Sequence, residues 1–514
     1  MTAQQAGIGA ASPSDGLDIT IIGRNGRGGQ DGRDGPDNRD NRHGGALAGA
    51  APLVFDSPAM PAASPALAEV RALTERADLA APPVVLPDFH HKANMELPSS
   101  VAVATRESVR PTLTSASVNC GMALIALDCD RPGRAAIEEF YRRVRERYPY
   151  PPGWRAELSA AEVLDCAARG AAFAADRFGV EPALLERVEE QGVIDLRRYG
   201  GAERLRRELP GLALHLARMR FGTVGPSNHF IELQQVEEIF DPAAAAALGV
   251  AEGQLTLQYH AGGGVLAGTV GALFGRRKHS PRQIRAAMAL LKPLYQLTTA
   301  RSAAQLRERY RLYFAAGCPP VSLASDEGQR LMLANAAAMN YGFAFRVAVY
   351  AALRRLAREV FGGQPGRLVV DSPHNSIYEE EVGGERAVVH RHNSCRAFPA
   401  ELMPPGTTFA RTGQAVLVPG THRTSSYLGV AGGSAQALYS ACHGAGTVVA
   451  DFAARGLSGP DPLGRVTLRF RYDGAAPQQH RHLDDNGINE VLGILASGGL
   501  VRPVARMRPL GVLH

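Results

Sequence analysis

No uninterrupted apolar run in the chain approaches the ~18 residues that a membrane helix needs, which argues against an integral membrane protein. The N-terminus lacks the basic-then-apolar order of a secretory signal. Cysteine is sparse: Cys120, Cys129, Cys166, Cys318, Cys395 and Cys442 are the six in 514 residues, too few for a disulfide framework. None of them has CxxC spacing, which disfavours a zinc knuckle. A reducing, cytoplasmic setting is the expectation. Lysine is nearly missing, occurring only at Lys92, Lys278 and Lys292 among 56 cationic residues. Arginine supplies the rest, a bias that reads as genomic and not functional.

What is present describes a globular protein. Hydrophobic residues make up 45% and charged residues 21%. The length suits one large domain or two to three ordinary ones. A net charge of +6 and a pI of about 9.1 are compatible with a polyanionic partner.

Residues 1–50 are rich in Gly, Asp, Asn and Arg, a composition that buries too little apolar surface to order itself, so a flexible tail is expected there. Residues 51–514 are then expected to form one domain. VVLPDFHH (84–91), VAVAT (101–105) and ALIAL (123–127) read as strands and loop. Helical spacing runs through 134–148, 159–177, 200–219, 281–314 and 329–361. Strands are expected at 229–239 and 254–264, and short strands dominate from 367 onward. The class is α+β, without internal repeats.

Five settings stand out. Cys120 lies in SVNCGM, His229 in SNHFIE, His260 before AGGG, His374 in DSPHN and His443 in SACHGAG. Each is a nucleophile or metal-ligand type at a strand end, beside a tight turn where a ligand can approach. Each taken alone reads as a satisfied polar residue. Together they suggest a site for a borderline transition metal such as Mn, Zn or Fe. Their spacing is not a local metal motif, and the residues by themselves lead no further.

The segments SVNCGM, GTVGPSNHFIEL, YHAGGG, DSPHN, HRHNSCRAFP, VLVPGTHRTSSY, CHGAG and RMRPLGVL resemble, in order, the motifs of the RtcB RNA ligases. LPDFHH and LANAAAMNYGFAFR extend the likeness. The resemblance implies a single large domain with mixed sheets around a deep central metal and nucleotide cleft. It implies joining of RNA 3′-phosphate or 2′,3′-cyclic phosphate ends to 5′-hydroxyl ends with GTP and manganese (one or two ions; Zn, Fe or Co are accepted by such ligands). His443 would carry GMP. Cys120, His229, His260 and His374 would be metal ligands. Asn228, Phe230, Glu232, Asn375, Pro419, Gly420, Thr421, His422, Ser426, Gly444, Ala445, Gly446 and His514 would hold the nucleotide. RNA ends and GTP become the expected partners, with an archease-type activator as a further one to test and no membrane.

The chain departs from the family pattern at Ser117, where an aspartate ligand is expected, and at Gly264, His392, Thr447 and His514, where arginine or lysine is expected. A hydroxyl binds a divalent ion less well than a carboxylate, and glycine or threonine cannot replace a bidentate arginine. These losses leave open a paralogue that only caps 3′-phosphate ends, or binds RNA or nucleotide without ligation. A metal-dependent phosphoesterase on the same centre is a third possibility.

Overall fold

The computed structural model describes residues 50–75, 78–92, 97–115, 117–150, 156–209, 211–219, 221–222, 224–225, 228–274, 282–314 and 319–514. The expected tail at 1–50, save for Ala50, and one of the three lysines, Lys278, lie outside them.

The segments 121–128, 230–239, 255–261 and 364–373, largely buried on both faces, form the middle of a nine-stranded, predominantly antiparallel sheet. Its main path runs Ala415–Val418, Ser426–Ala431, Val501–Leu513, Phe230–Ile239, Leu255–Ala261, Gly121–Asp128 and Gln364–Pro373. Val466–Phe470 pairs parallel with the end of Val501–Leu513, and Gln478–Arg481 pairs with Val466–Phe470. The sheet is open, not a barrel. A second sheet has the order 53–54, 84–85, 101–105, 385–392, 375–382. Two short pairs, 394–396 with 440–442 and 108–109 with 321–322, complete the strands among the described residues.

One helix, Asp326–Phe361, spans 36 residues and is buried along most of its length. Ser325 starts it: its hydroxyl accepts the N–H of Gly328 at 3.0 Å. It packs on strands 121–128 and 364–373 and on helices Ala160–Arg169, Ala171–Phe178 and Gly264–Phe274. A helix buried on nearly all sides must satisfy its polar groups internally. Asn340 does so by donating to the carbonyls of Ala167 and Ile194, both at 3.0 Å.

Three of the expected helices are broken, and the 200–219 helix is one of them, divided into Gly201–Glu208 and Gly211–Met219. The 159–177 helix stops at Gly170, whose φ is +58°. A Cβ there would sit 2.1 Å from the Gly192 carbonyl oxygen, so the close approach requires glycine. The 281–314 helix divides into Arg282–Thr298 and Ala303–Tyr313, the second capped by Ser302 Oγ on the Gln305 N–H at 3.1 Å. Among the described residues no helix is long and apolar enough to cross a membrane.

Candidate active site

Four neighbouring strands carry the four candidate ligands to one end of the central sheet. Cys120 immediately precedes strand 121–128, and His374 immediately follows strand 364–373. His229 precedes strand 230–239, and His260 is the penultimate residue of strand 255–261, opposite both Met122 and Phe230. Because the strands are antiparallel, these starts and ends coincide. His374 N–H donates to the Cys120 carbonyl at 2.8 Å, which locks the two chain segments together.

The side chains converge accordingly. Cys120 Sγ lies 3.2 Å from His260 Nε2 and 3.6 Å from His229 Nε2, and His260 Nε2 lies 3.3 Å from His374 Nε2. Metal–ligand bonds of about 2.0–2.3 Å in a tetrahedron give edges of roughly 3.3–3.8 Å, so this donor set fits one borderline transition ion. Among the described residues Cys120, His260 and His374 are the one group of His, Cys, Asp and Glu gathered closely enough to hold a metal. His229 approaches Cys120 Sγ, but it lies outside that close group of three. His260 Nδ1 is 2.7 Å from the Asn228 carbonyl, which turns its Nε2 toward the cluster.

The turn after His260 is tight. A Cβ on Gly263 would sit 2.2 Å from the carbonyl oxygen of Val118, so the loop holding Cys120 and the loop leaving His260 can touch only through glycine. Ser117 donates toward Cys120 and helps to hold down the pKa of a thiol that burial raises to about 11. A metal at this thiol must therefore displace its proton.

His443 follows strand 440–442, which pairs with 394–396; the Ser394 N–H in turn donates to the His374 carbonyl at 3.0 Å. Its ring centroid lies 4.4 Å from that of His374. Burial, then the positive charge of Lys92 and the neighbouring His90, lower the His443 pKa to about 3. Burial also lowers His229 to about 4 and drives His260 and His374 well down. All four rings are neutral near pH 7, with lone pairs available to a metal or a phosphorus atom.

His443 opens into a cavity of about 460 Å³. Of the residues expected to hold a nucleotide, Asn228, Phe230, Glu232, Pro419, Gly420 and Thr421 line it, as do His422, Ser426, Gly444, Gly446 and His514. Asn375 and Ala445 are buried and do not belong to its wall. Asn375 Oδ1 instead accepts the Asn393 N–H at 3.0 Å, and the Ala445 N–H donates to the Pro419 carbonyl at 2.9 Å. Burial raises the Glu232 carboxyl to about 8, although Gln234 Nε2 donates to it at 2.6 Å.

Besides the apolar Met122 and Val512, three ionisable wall residues are absent from the site expected from the sequence: Asp88, His90 and Lys92. Asp88 adopts φ +61° and its Oδ1 accepts the N–H groups of Thr447 and Val448 at 3.1 and 3.2 Å. Those N–H groups open the helix Gly446–Ala454 that leads away from His443.

A family model described as tRNA-splicing ligase RtcB matches residues 69–514. The chain belongs to the RtcB family. Among RtcB relatives, a Pyrococcus horikoshii protein named tRNA-splicing ligase RtcB is 30% identical over 419 residues, covering 77% of this chain and 44% of that protein. The Thermococcus kodakarensis protein of the same name is 28% identical over 453 residues, 84% of this chain and 86% of the relative. A Mycobacterium tuberculosis protein named RNA-splicing ligase RtcB is 32% identical over 361 residues, 66% of this chain and 74% of the relative. The chain thus spans less than half the length of the Pyrococcus RtcB proteins it matches.

Proposed function

We propose that the chain is a GTP- and manganese-dependent RNA ligase that joins 3′-phosphate or 2′,3′-cyclic phosphate ends to 5′-hydroxyl ends through a His443–GMP intermediate. The observation that carries this reading is a neutral, buried imidazole, His443, packed on a metal-capable Cys–His cluster at the foot of a nucleotide-sized cavity. Membership of the RtcB family supports it.

Cys120, His260 and His374, with His229, would hold the ion, which when bound withdraws negative charge from the reacting phosphate. His443 attacks the α-phosphorus of GTP with its lone pair. A P–N bond forms, the P–O bond to pyrophosphate breaks, and pyrophosphate leaves with the electron pair. Phe230 supplies an apolar face for the base, and Glu232 accepts from the base's N–H edge. Asn228 and the 419–422 turn fix the nucleotide. The RNA 3′-phosphate then attacks the same phosphorus and takes GMP from His443. Last, the 5′-hydroxyl attacks the activated 3′-phosphate and expels GMP.

A second reading, guanylylation of 3′-phosphate ends without joining, is favoured by the absence of arginine from the described cavity wall. Incubation with radiolabelled GTP and manganese tests the first step: an acid-labile protein–GMP adduct that disappears in His443→Ala is expected. Failure to form it removes both readings. Adding 3′-phosphate RNA and a 5′-hydroxyl RNA separates them, since joined product supports the ligase and a stable RNA–GMP cap supports the capping enzyme.

A further inference from the structure

We infer that Lys92 contacts the phosphate taken up in this cavity and is, among the described residues lining it, the one lysine or arginine available to do so. The inference rests on the reading of the cavity as a nucleotide site. Of the chain's 56 lysines and arginines, Lys92 is the only one among the described residues lining the wall. Among the described residues, a chain so rich in arginine places none on the wall where a polyanion would be bound. The remaining ionisable wall residues are histidines, Asp88 and Glu232.

The other usual anion site is already filled. The free N–H groups at the start of helix 446–454 would face a phosphate on His443. Here those of Thr447 and Val448 are taken by Asp88 Oδ1, at 3.1 and 3.2 Å. A phosphate entering beside His443 meets Lys92 instead. Among the described residues Lys92 has no carboxylate within ion-pair distance, and it is only partly buried. Lys92 shares the cavity wall with His443, His260 and Asp88, and its charge acts on His443, His374, Asp88 and Cys120. A compact ammonium on a flexible stem can follow a phosphate as it passes from nucleotide to imidazole, which a rigid guanidinium fork does less well.

The test is calorimetric binding of GMP, guanosine and inorganic pyrophosphate to the full chain loaded with manganese. Lys92→Met is expected to weaken GMP and pyrophosphate about tenfold or more while leaving guanosine unchanged, a difference of about 1.4 kcal/mol. Lys92→Arg should recover most of the GMP affinity. Equal weakening of GMP and guanosine, or no weakening of either, overturns the inference. The two failures can be told apart. If the wild type forms no His443 adduct but binds pyrophosphate through Lys92, the nucleotidyl-transfer reading falls and the phosphate contact stands. If the adduct forms and Lys92→Met binds GMP normally, the reverse holds. A wild type that binds neither GMP nor pyrophosphate overturns both.

Discussion

Arg346 and Asp371 form a fully buried ion pair, 2.6 Å between Nη2 and Oδ1, that flanks Cys120 through its two neighbours in sequence. Arg346 Nη1 donates to the carbonyl of Asn119, and a Cβ on Gly121 would lie 2.8 Å from the guanidinium carbon. Asn119 itself adopts φ +58°, an unfavourable conformation for a residue with a side chain. Its N–H bond to the Asn375 carbonyl at 2.8 Å helps to hold it there. Removing one partner leaves a buried charge uncompensated, so Arg346→Met or Asp371→Asn should each cost about 3–5 kcal/mol in denaturant unfolding. Arg346→Lys, which keeps the charge but loses the fork, should retain more stability yet bind less metal. Full metal content in Arg346→Lys would mean that the pair is structural only.

The metal set predicts a spectroscopic signature. Cobalt(II) added to the purified chain should produce a thiolate-to-cobalt charge-transfer band, lost in Cys120→Ser, with a proton released on binding because the thiol is protonated beforehand. His443→Ala should keep the band. Ser117→Asp should raise manganese stoichiometry by supplying the carboxylate that a second ion lacks; unchanged stoichiometry would mean that other ligands already fill that place.

Glu232 predicts a pH dependence of nucleotide binding. Its carboxyl, raised to about 8 by burial, holds a proton at neutral pH, whereas a guanine N–H edge needs an acceptor. Binding must therefore remove that proton. GTP affinity should rise roughly tenfold per unit between about pH 6 and 8 and then level off. Glu232→Gln should bind weakly at every pH. A flat profile in the wild type would dismiss the assigned contact.

Asp88 predicts a pH dependence of stability. Burial raises its carboxyl from 3.8 to about 7. Between those values the folded chain holds a proton that the unfolded chain has released. Its contribution to stability is therefore full below about pH 4 and declines as pH rises through 7. In thermal melts the fall across that window should be shallower in Asp88→Asn than in the wild type. Parallel curves would count against it.

Much of this architecture was legible in the sequence because two periodicities are strong. The strands at 230–239 and 255–261 and the helix at 326–361 fall within a few residues of the expected bounds. The helix breaks at Gly170 and near Ser302 were missed because each is imposed by a distant backbone or a local cap and not by composition. The gathering of Cys120, His260 and His374 was legible only through ordered motifs, since strand pairing and not sequence spacing brings them together. Lys92 was passed over because a lone lysine in a basic chain carries no local signal; only the folded cavity shows that it lines the wall. Strand 501–513 was hidden by Pro503 and Pro509, which argue against a central strand. The sheet accommodates both with bulges, one opposite Leu428–Gly429 and one between Pro509 and Gly511.

That strand lies between 426–431 and 230–239, in the interior of the sheet that presents the candidate ligands. The edge it covers is translated about 270 residues earlier, which at ribosomal speed leaves roughly 15–55 s before its partner exists. During that interval the nascent chain carries an open β-edge, the kind of surface that recruits other chains. Yield in the cell should then be governed by the pace of elongation and by chaperone supply more than by the stability of the finished fold.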